Sequence, residues 1–244
     1  MRVGFLVTCL IDTMRPEIGF SAIKLLEAAG CEVEVPENQT CCGQPAYSSG
    51  DRKAARVLAE KFVEEFEHFD YVVIPSGSCG GNVKTHYVDL FSGDPAWLAR
   101  MQRLVPRVYE LTDFLHNVVK LDKLPGQGQC SVKGKVTYHD SCCGLRELGV
   151  QKQPRALLEK AGVQVTEMKD SRQCCGFGGS FSLKYGDISS AIVDEKCQNI
   201  HDSGAEAVVL GDLGCMLNIE GRLRRTGDDK TRVLHVAQVL AGDA

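Results

Sequence analysis

Eight of the twelve cysteines in this 244-residue chain fall into two sets with the same spacing. Cys9 precedes the adjacent pair Cys41 and Cys42 by 32 positions, Cys142 precedes Cys174 and Cys175 by the same 32, and Cys79 and Cys215 follow alone. A glycine closes each pair, Gly43 and Gly176, and an asparagine stands three residues beyond each last cysteine, Asn82 and Asn218. Four thiolates per half is a metal-ligand count, so the pattern points to a duplicated metal or iron-sulfur protein.

The adjacent pairs discriminate between cofactors. Neighbouring side chains on extended backbone point to opposite faces, so both serve one site only where the chain turns sharply, which Gly43 and Gly176 allow through positive φ. A single zinc needs four donors at about 2.3 Å from one centre and usually takes them from spaced knuckles. An iron-sulfur cluster has several irons, and two neighbouring thiolates can bind different ones. The pairs thus favour a cluster, with zinc as the alternative. Gly77, Gly80 and Gly81 around Cys79, Gly211 and Gly214 before Cys215, and Gly178 and Gly179 after Cys175 free backbone N–H groups to approach sulfur or an anion. Loops of ordinary α/β proteins are glycine-rich as well.

The elements that must position these residues repeat too. Residues 3–8 read as a strand, 17–29 as a helix closed by Gly30, and 31–35 as a second strand. Asp51 caps an expected helix to about residue 68, with Ala54, Val57, Leu58, Lys61, Phe62 and Phe66 on its packed face, and 71–75 is a buried-type strand. A helix through 97–104, a strand near 108–111 and a short helix capped by Thr112 or Asp113 close the half. Residues 121–135, with Pro125, Gly126, Gly128 and Gly134, read as a linker. The pattern then restarts: strands at 136–139, 163–168 and 207–210, helices at 154–161 and 187–201, and a closing strand and helix over 232–240. The offset is 133 residues for the first three cysteines and 136 for the fourth. This predicts an α/β fold of two pseudo-symmetric parallel-sheet βαβ units from an internal duplication, over 1–122 and 135–244 with a linker at 123–134. The cysteines fall at strand ends, on the edge of a parallel sheet where ligands bind.

Composition supports an ordinary globular chain, 43% hydrophobic and 25% charged with a net charge of −4. It is long enough to bury a core without disulfide staples. Basic residues are interspersed with acidic ones, which excludes a nucleic-acid surface, and no apolar run reaches the roughly 18 residues of a membrane span. Reduced thiols available to metals place the expected compartment in the cytoplasm.

Five segments resemble a known family: 7–12 (Val-Thr-Cys-Leu-Ile-Asp), 41–47 (Cys-Cys-Gly-Gln-Pro-Ala-Tyr), 75–79 (Pro-Ser-Gly-Ser-Cys), 174–182 (Cys-Cys-Gly-Phe-Gly-Gly-Ser-Phe-Ser), and 215–219 with 221–223. They resemble the "CCG" domain pair found in the cysteine-rich component of heterodisulfide reductase and in the glycolate oxidase iron-sulfur subunit. The likeness is closer to the lactate-utilisation protein A family, the small iron-sulfur subunit of a bacterial three-protein L-lactate oxidation system. The resemblance implies one cluster site at Cys9, Cys41, Cys42 and Cys79 and another at Cys142, Cys174, Cys175 and Cys215. It implies a 4Fe-4S cluster in one or both, electron transfer within an oxidoreductase complex, and as partners a ferredoxin-like iron-sulfur protein and a third subunit. The heterodisulfide reductase component has a fifth cysteine in each motif where this chain has Asn82 and Asn218, so its disulfide chemistry does not carry over directly. The remaining readings are a structural zinc or scaffold subunit and a thiol-disulfide oxidoreductase using Cys41 and Cys42, the latter strained as a vicinal disulfide.

The other cysteines read differently. Cys31 begins a strand and Cys197 sits on a helix, both as packed small side chains; Cys130 is outside the repeat, and Cys143, equivalent to Leu10, is a possible substitute for Cys142. His139 and Asp140 could relay protons or simply tie down their loop. Lys184 and Arg222 are candidate anion contacts or surface charges.

Overall fold

Val3, Phe5, Val72, Val73 and Ile74 are all fully buried, the behaviour of strands in a parallel sheet covered by helices. In the computed structural model, which describes residues 1–128, 132 and 134–244, they belong to β1 (Arg2–Phe5) and β3 (Tyr71–Ile74), joined by β2 (Glu32–Glu34) and β4 (Val108–Glu110). These four are parallel in the order β2-β1-β3-β4. The second half forms β5 (Val136–His139), β6 (Ala207–Leu210) and β7 (Arg232–His235), parallel in that order. Val3 lies opposite Tyr71 and Val136 opposite Ala207. The two halves therefore share one strand register, and the α/β fold of two parallel sheets follows the duplication.

The expected strand at 163–168 is reduced to a single bridge between Val136 and Val165. Asp170 turns at φ 52, and Arg155 holds Glu167 and Asp140 across this edge, so the chain leaves the sheet after one bridge. Cys9 and Cys142 do not end strands. Each opens a short helix beyond its strand, Cys9–Met14 and Cys142–Arg146.

Asp51 caps the helix Arg52–Phe66 by accepting from the Ala54 N–H at 3.0 Å. Its packed face is Ala55, Ala59, Phe62, Val63 and Phe66, one position round from the predicted stripe, and Val57 is 60% exposed. The cap after β4 is Glu110, which accepts from the Thr112 and Asp113 N–H groups and the Thr112 hydroxyl, rather than Thr112 or Asp113.

The two sheets share an apolar core. Val3, Phe5, Ile18 and Leu25 of the first half pack in one cluster with Val136, Leu157, Val208 and Leu240 of the second. Leu121 and Leu124, expected in a linker, join that cluster, and the Gly126 N–H donates to the Leu240 carbonyl. Residues 129–131 and 133, with Cys130, lie outside the described residues. Among the described residues no helix is long and apolar enough to cross a membrane.

Burial pushes the Glu110 carboxyl up to about 7, against about 4.3 in an unfolded chain. Between those values the folded chain keeps a proton that the unfolded chain has lost, so the stability it contributes is complete at acid pH and disappears as pH rises to about 7. Glu110→Gln keeps an acceptor for the cap, and in urea titrations its fall in unfolding free energy from about pH 5 to about pH 8 should be smaller than the parent's by about 2–3 kcal/mol. Identical pH dependence in both chains would show that Glu110 is already ionised.

Candidate metal centre

All eight repeated cysteines lie at the carboxyl edges of the sheets. Cys9 and Cys142 follow β1 and β5, and Cys41 with Cys42 sits in the loop after β2. Cys174 with Cys175 sits in the matching loop after the Val165 bridge. Cys79 and Cys215 lie in the first turns of the helices Gly77–Gly81 and Leu213–Arg225, after β3 and β6. The thiols meet in the same order in both halves. Cys9 interacts with Cys41, Cys41 with Cys42 and Cys42 with Cys79. Cys142, Cys174, Cys175 and Cys215 form the same chain.

The pairs turn as their glycines allow, with φ 78 at Gly43 and 86 at Gly176. A Cβ at Gly176 would stand 2.7 Å from the Ser189 carbonyl oxygen, so the position admits no side chain. The turn also brings each glycine N–H back onto the first thiol of its pair, at 3.4 Å to the Cys41 Sγ and 3.3 Å to the Cys174 Sγ. Hydrogen bonds from Cys42 and Cys9, with burial opposing, pull Cys41 down to about 3; Cys142 and Cys175 pull Cys174 down to about 2. Hydrogen bonding to that sulfur, then burial, pushes Cys9 and Cys142 up, and for Cys42 and Cys175 a second hydrogen bond, with Cys79 or Cys215, adds to it ahead of burial. In each set one thiol is thus drawn toward the thiolate and its neighbours toward the protonated form, and a cation bound there would displace protons.

Asn82 and Asn218 have the same task in each half. The Asn82 side-chain N–H donates to the Cys42 carbonyl and that of Asn218 to the Cys175 carbonyl, both at 2.8 Å. In the first half the Tyr87 hydroxyl joins Asn82 on that carbonyl at 2.7 Å. These contacts satisfy a backbone acceptor that the vicinal turn leaves without a ladder partner. The N–H groups of both asparagines are thereby committed, while the buried Asn82 Oδ1 has no hydrogen-bond partner among the described residues.

Asp212 joins the halves. One carboxylate oxygen accepts from the Ser78 N–H at 2.8 Å and the Ser76 hydroxyl at 3.1 Å, and the other accepts from the Cys215 N–H at 3.4 Å. Ser76 caps Cys79 as Asp212 caps Cys215, each three residues before its cysteine. That spacing is the sequence signal for a helix N-cap and would have disclosed Asp212.

Each set opens into a cavity, one of about 320 Å³ at Cys9, Cys41, Cys42 and Cys79 and one of about 220 Å³ at Cys142, Cys174, Cys175 and Cys215. Gln44, Pro45, Phe177 and Asp212 line both, so the loop after each Cys-Cys-Gly turn walls the other half's cavity. Cys143 lines the second cavity, takes a contact from the Gln44 amide at 3.9 Å, and is pushed up to about 12 by burial and Glu147. Cys31 and Cys197 are packed in the core. Asp140 is bound to Arg155 and Ser171. Arg222 pairs with Asp194, and Lys184 is exposed beyond the cavity linings. His139 is different: it is fully buried, and a ring nitrogen lies within 4.8 Å of the Cys175 and Cys215 sulfurs.

The fold and site define a pair of cysteine-rich domains, and the family model of the cysteine-rich CCG domain matches twice, at residues 3–84 and 136–220. The chain is 46% identical to the lactate utilization protein A of Geobacillus kaustophilus over 98% of both chains, and 44% identical to that of Geobacillus thermodenitrificans over the same share. It is 41% identical to lactate utilization protein A 2 of Bacillus cereus, over 99% of this chain and 98% of that one. This chain belongs to the lactate utilization protein A family of paired CCG domains. Among solved structures a hypothetical protein from Helicobacter pylori shares the fold, with a TM-score of 0.68 at 11% identity. The likeness covers all of this chain and 49% of that longer one.

Removing the Asp212 carboxylate strands the Ser78 and Cys215 N–H groups together. Asp212→Ala should lower unfolding free energy by about 2–4 kcal/mol, and Asp212→Asn, which keeps one acceptor oxygen, by roughly half as much. Urea midpoints of the three chains test this, and an unchanged midpoint in Asp212→Ala would mean that the halves are not coupled through this side chain.

Proposed function

We propose that this chain is an iron-sulfur electron-transfer subunit of a multi-protein L-lactate oxidation system. The observation that carries the reading is the pair of matching thiol quartets, each with a glycine N–H turned back onto the first thiol of its vicinal pair. The relatives' name supplies the lactate context. Cys9, Cys41, Cys42 and Cys79 would hold one 4Fe-4S cluster and Cys142, Cys174, Cys175 and Cys215 the other. When bound, such a cluster accepts and releases single electrons.

The donor chemistry fits that group. Four soft sulfur donors converge in each half, with a glycine N–H aimed at one of them. The chain's own part is to bind, to orient and to exclude water. Asn82 and Asn218 fix the vicinal turns, while Phe177 and Pro45 wall the cavities. The proposed partners are a ferredoxin-like iron-sulfur protein and a third subunit, and the proposed compartment is the cytoplasm.

Zinc is the second reading. The donor atoms of His139, Cys175 and Cys215 lie within 4.8 Å of one another, close enough to surround one ion. The first set has no such histidine, since the equivalent residue is Leu6, so a shared role for both quartets rests on the thiols alone.

Anaerobic reconstitution with iron and sulfide should give a brown protein with roughly four irons and four labile sulfides per filled set. Cys41→Ala and Cys174→Ala should each remove one set's share. Colourless protein carrying stoichiometric zinc under the same conditions would overturn the reading.

A further inference from the structure

The duplication identifies where the two sets differ. With Val3 opposite Tyr71 and Val136 opposite Ala207, His139 takes the place of Leu6. The carbonyls of Ala55 and Ser189 stand against Gly43 and Gly176, which sets the register of the helices Arg52–Phe66 and Gly186–Asp202 and aligns Lys196 with Phe62. In the first half Leu6 and Phe62 pack with Cys42 in an apolar cluster. In the second half the same two positions hold an imidazole and an ammonium group, both at 0% exposure.

Neither ring nitrogen of His139 has a hydrogen-bond partner among the described residues. A buried donor left unsatisfied is costly, and the Cys175 and Cys215 sulfurs lie within 4.8 Å of a ring nitrogen. An imidazole carries at least one N–H in either protonation state, so the ring has a donor to give. Lys196 donates to the Asp170 carbonyl at 2.6 Å and the Ser171 carbonyl at 3.4 Å. Burial lowers the pKa of the Lys196 ammonium, and the nearby Asp140 carboxylate is already bound on both oxygens by Arg155. A buried cation needs a compensating charge, and an anionic cluster on the second thiol set would supply it.

We infer that the two sets are electronically unequal: the unsatisfied His139 N–H is available to sulfur of a cluster in the second set and Lys196 would place a positive charge beside it, so a cluster there has the more positive reduction potential. This rests on the iron-sulfur reading above. Hydrogen bonds to cluster sulfur and added positive charge both favour the reduced form, and an apolar lining supplies neither. The pair of sites has a built-in direction, with the second set as the electron sink.

The test is a redox titration of the anaerobically reconstituted full chain, followed by paramagnetic resonance, with Cys41→Ala and Cys174→Ala chains assigning each midpoint to its set. The second-set midpoint should be the more positive. His139→Leu and Lys196→Met should each lower it by at least a tenfold change in the oxidised-to-reduced ratio, about 59 mV for one electron, with the first-set midpoint unmoved. His139→Gln, which retains an N–H, should recover most of the loss. Lys196→Met carries the same expectation where His139→Leu fails to fold. Equal midpoints in the two sets, or a second-set midpoint unmoved by both variants, would overturn the inference while leaving the clusters in place. A chain that takes up no iron overturns the iron-sulfur reading itself, and this inference with it, at the metal count.

Discussion

The site depends on one backbone constraint, the left-handed turn at the glycine after each cysteine pair. Without it, Cys41 and Cys42 would point to opposite faces, and only one of them could join Cys9 and Cys79. With φ at 78 and 86, both thiols of a pair join one chain of sulfur contacts, and the glycine N–H returns to the first thiol. The surrounding structure secures this turn from two sides. The carbonyl near the start of the long helix, from Ala55 or Ser189, closes over the glycine, and an asparagine holds the carbonyl of the second cysteine.

The two turns are tied to one frame. Gly77 would bring a Cβ to 2.9 Å from the Gly144 Cα, so the short helices that carry Cys79 and begin at Cys142 meet backbone to backbone. Asp212 spans the same junction, and the Gly77 N–H donates to the Gly211 carbonyl at 3.2 Å. The halves also share a core through Val3, Val136 and Leu240. Movement of one quartet relative to the other would break charge-assisted bonds and open packed apolar surface together. This favours a fixed spacing between two centres, which suits electron passage better than large closure motions.

Much of this is legible in the sequence because it rests on residues whose types are restrictive. Cysteine spacing, the two Cys-Cys-Gly turns and the buried-type runs at 72–74 and 207–210 each have few physical alternatives. The strand at 163–168 misleads because its alternation persists although Asp170 and the Arg155 pairs draw the chain off the sheet after one bridge. The cap at Glu110 is hidden because glutamate, unlike aspartate, is seldom an N-cap, and it works here through burial and three donors. Lys196 gives no signal. One lysine among the charges of 187–202 reads as a surface residue, and only the fold carries it to full burial.

Asn82 and Asn218 show how the duplicated frame separates holding from tuning. Each commits its donor to a cysteine carbonyl, so the same residue type gives the same backbone support in both halves. Residues that hold the thiols have thus kept pace between halves: glycine with glycine, asparagine with asparagine, Ser76 with Asp212 as helix caps. The residues that only touch the thiols have diverged, Leu6 to His139 and Phe62 to Lys196. A change of the first kind would alter the geometry of a set, whereas one of the second kind alters its electrostatic surroundings at constant geometry. Two copies of one binding frame can in this way come to hold the same group under different fields.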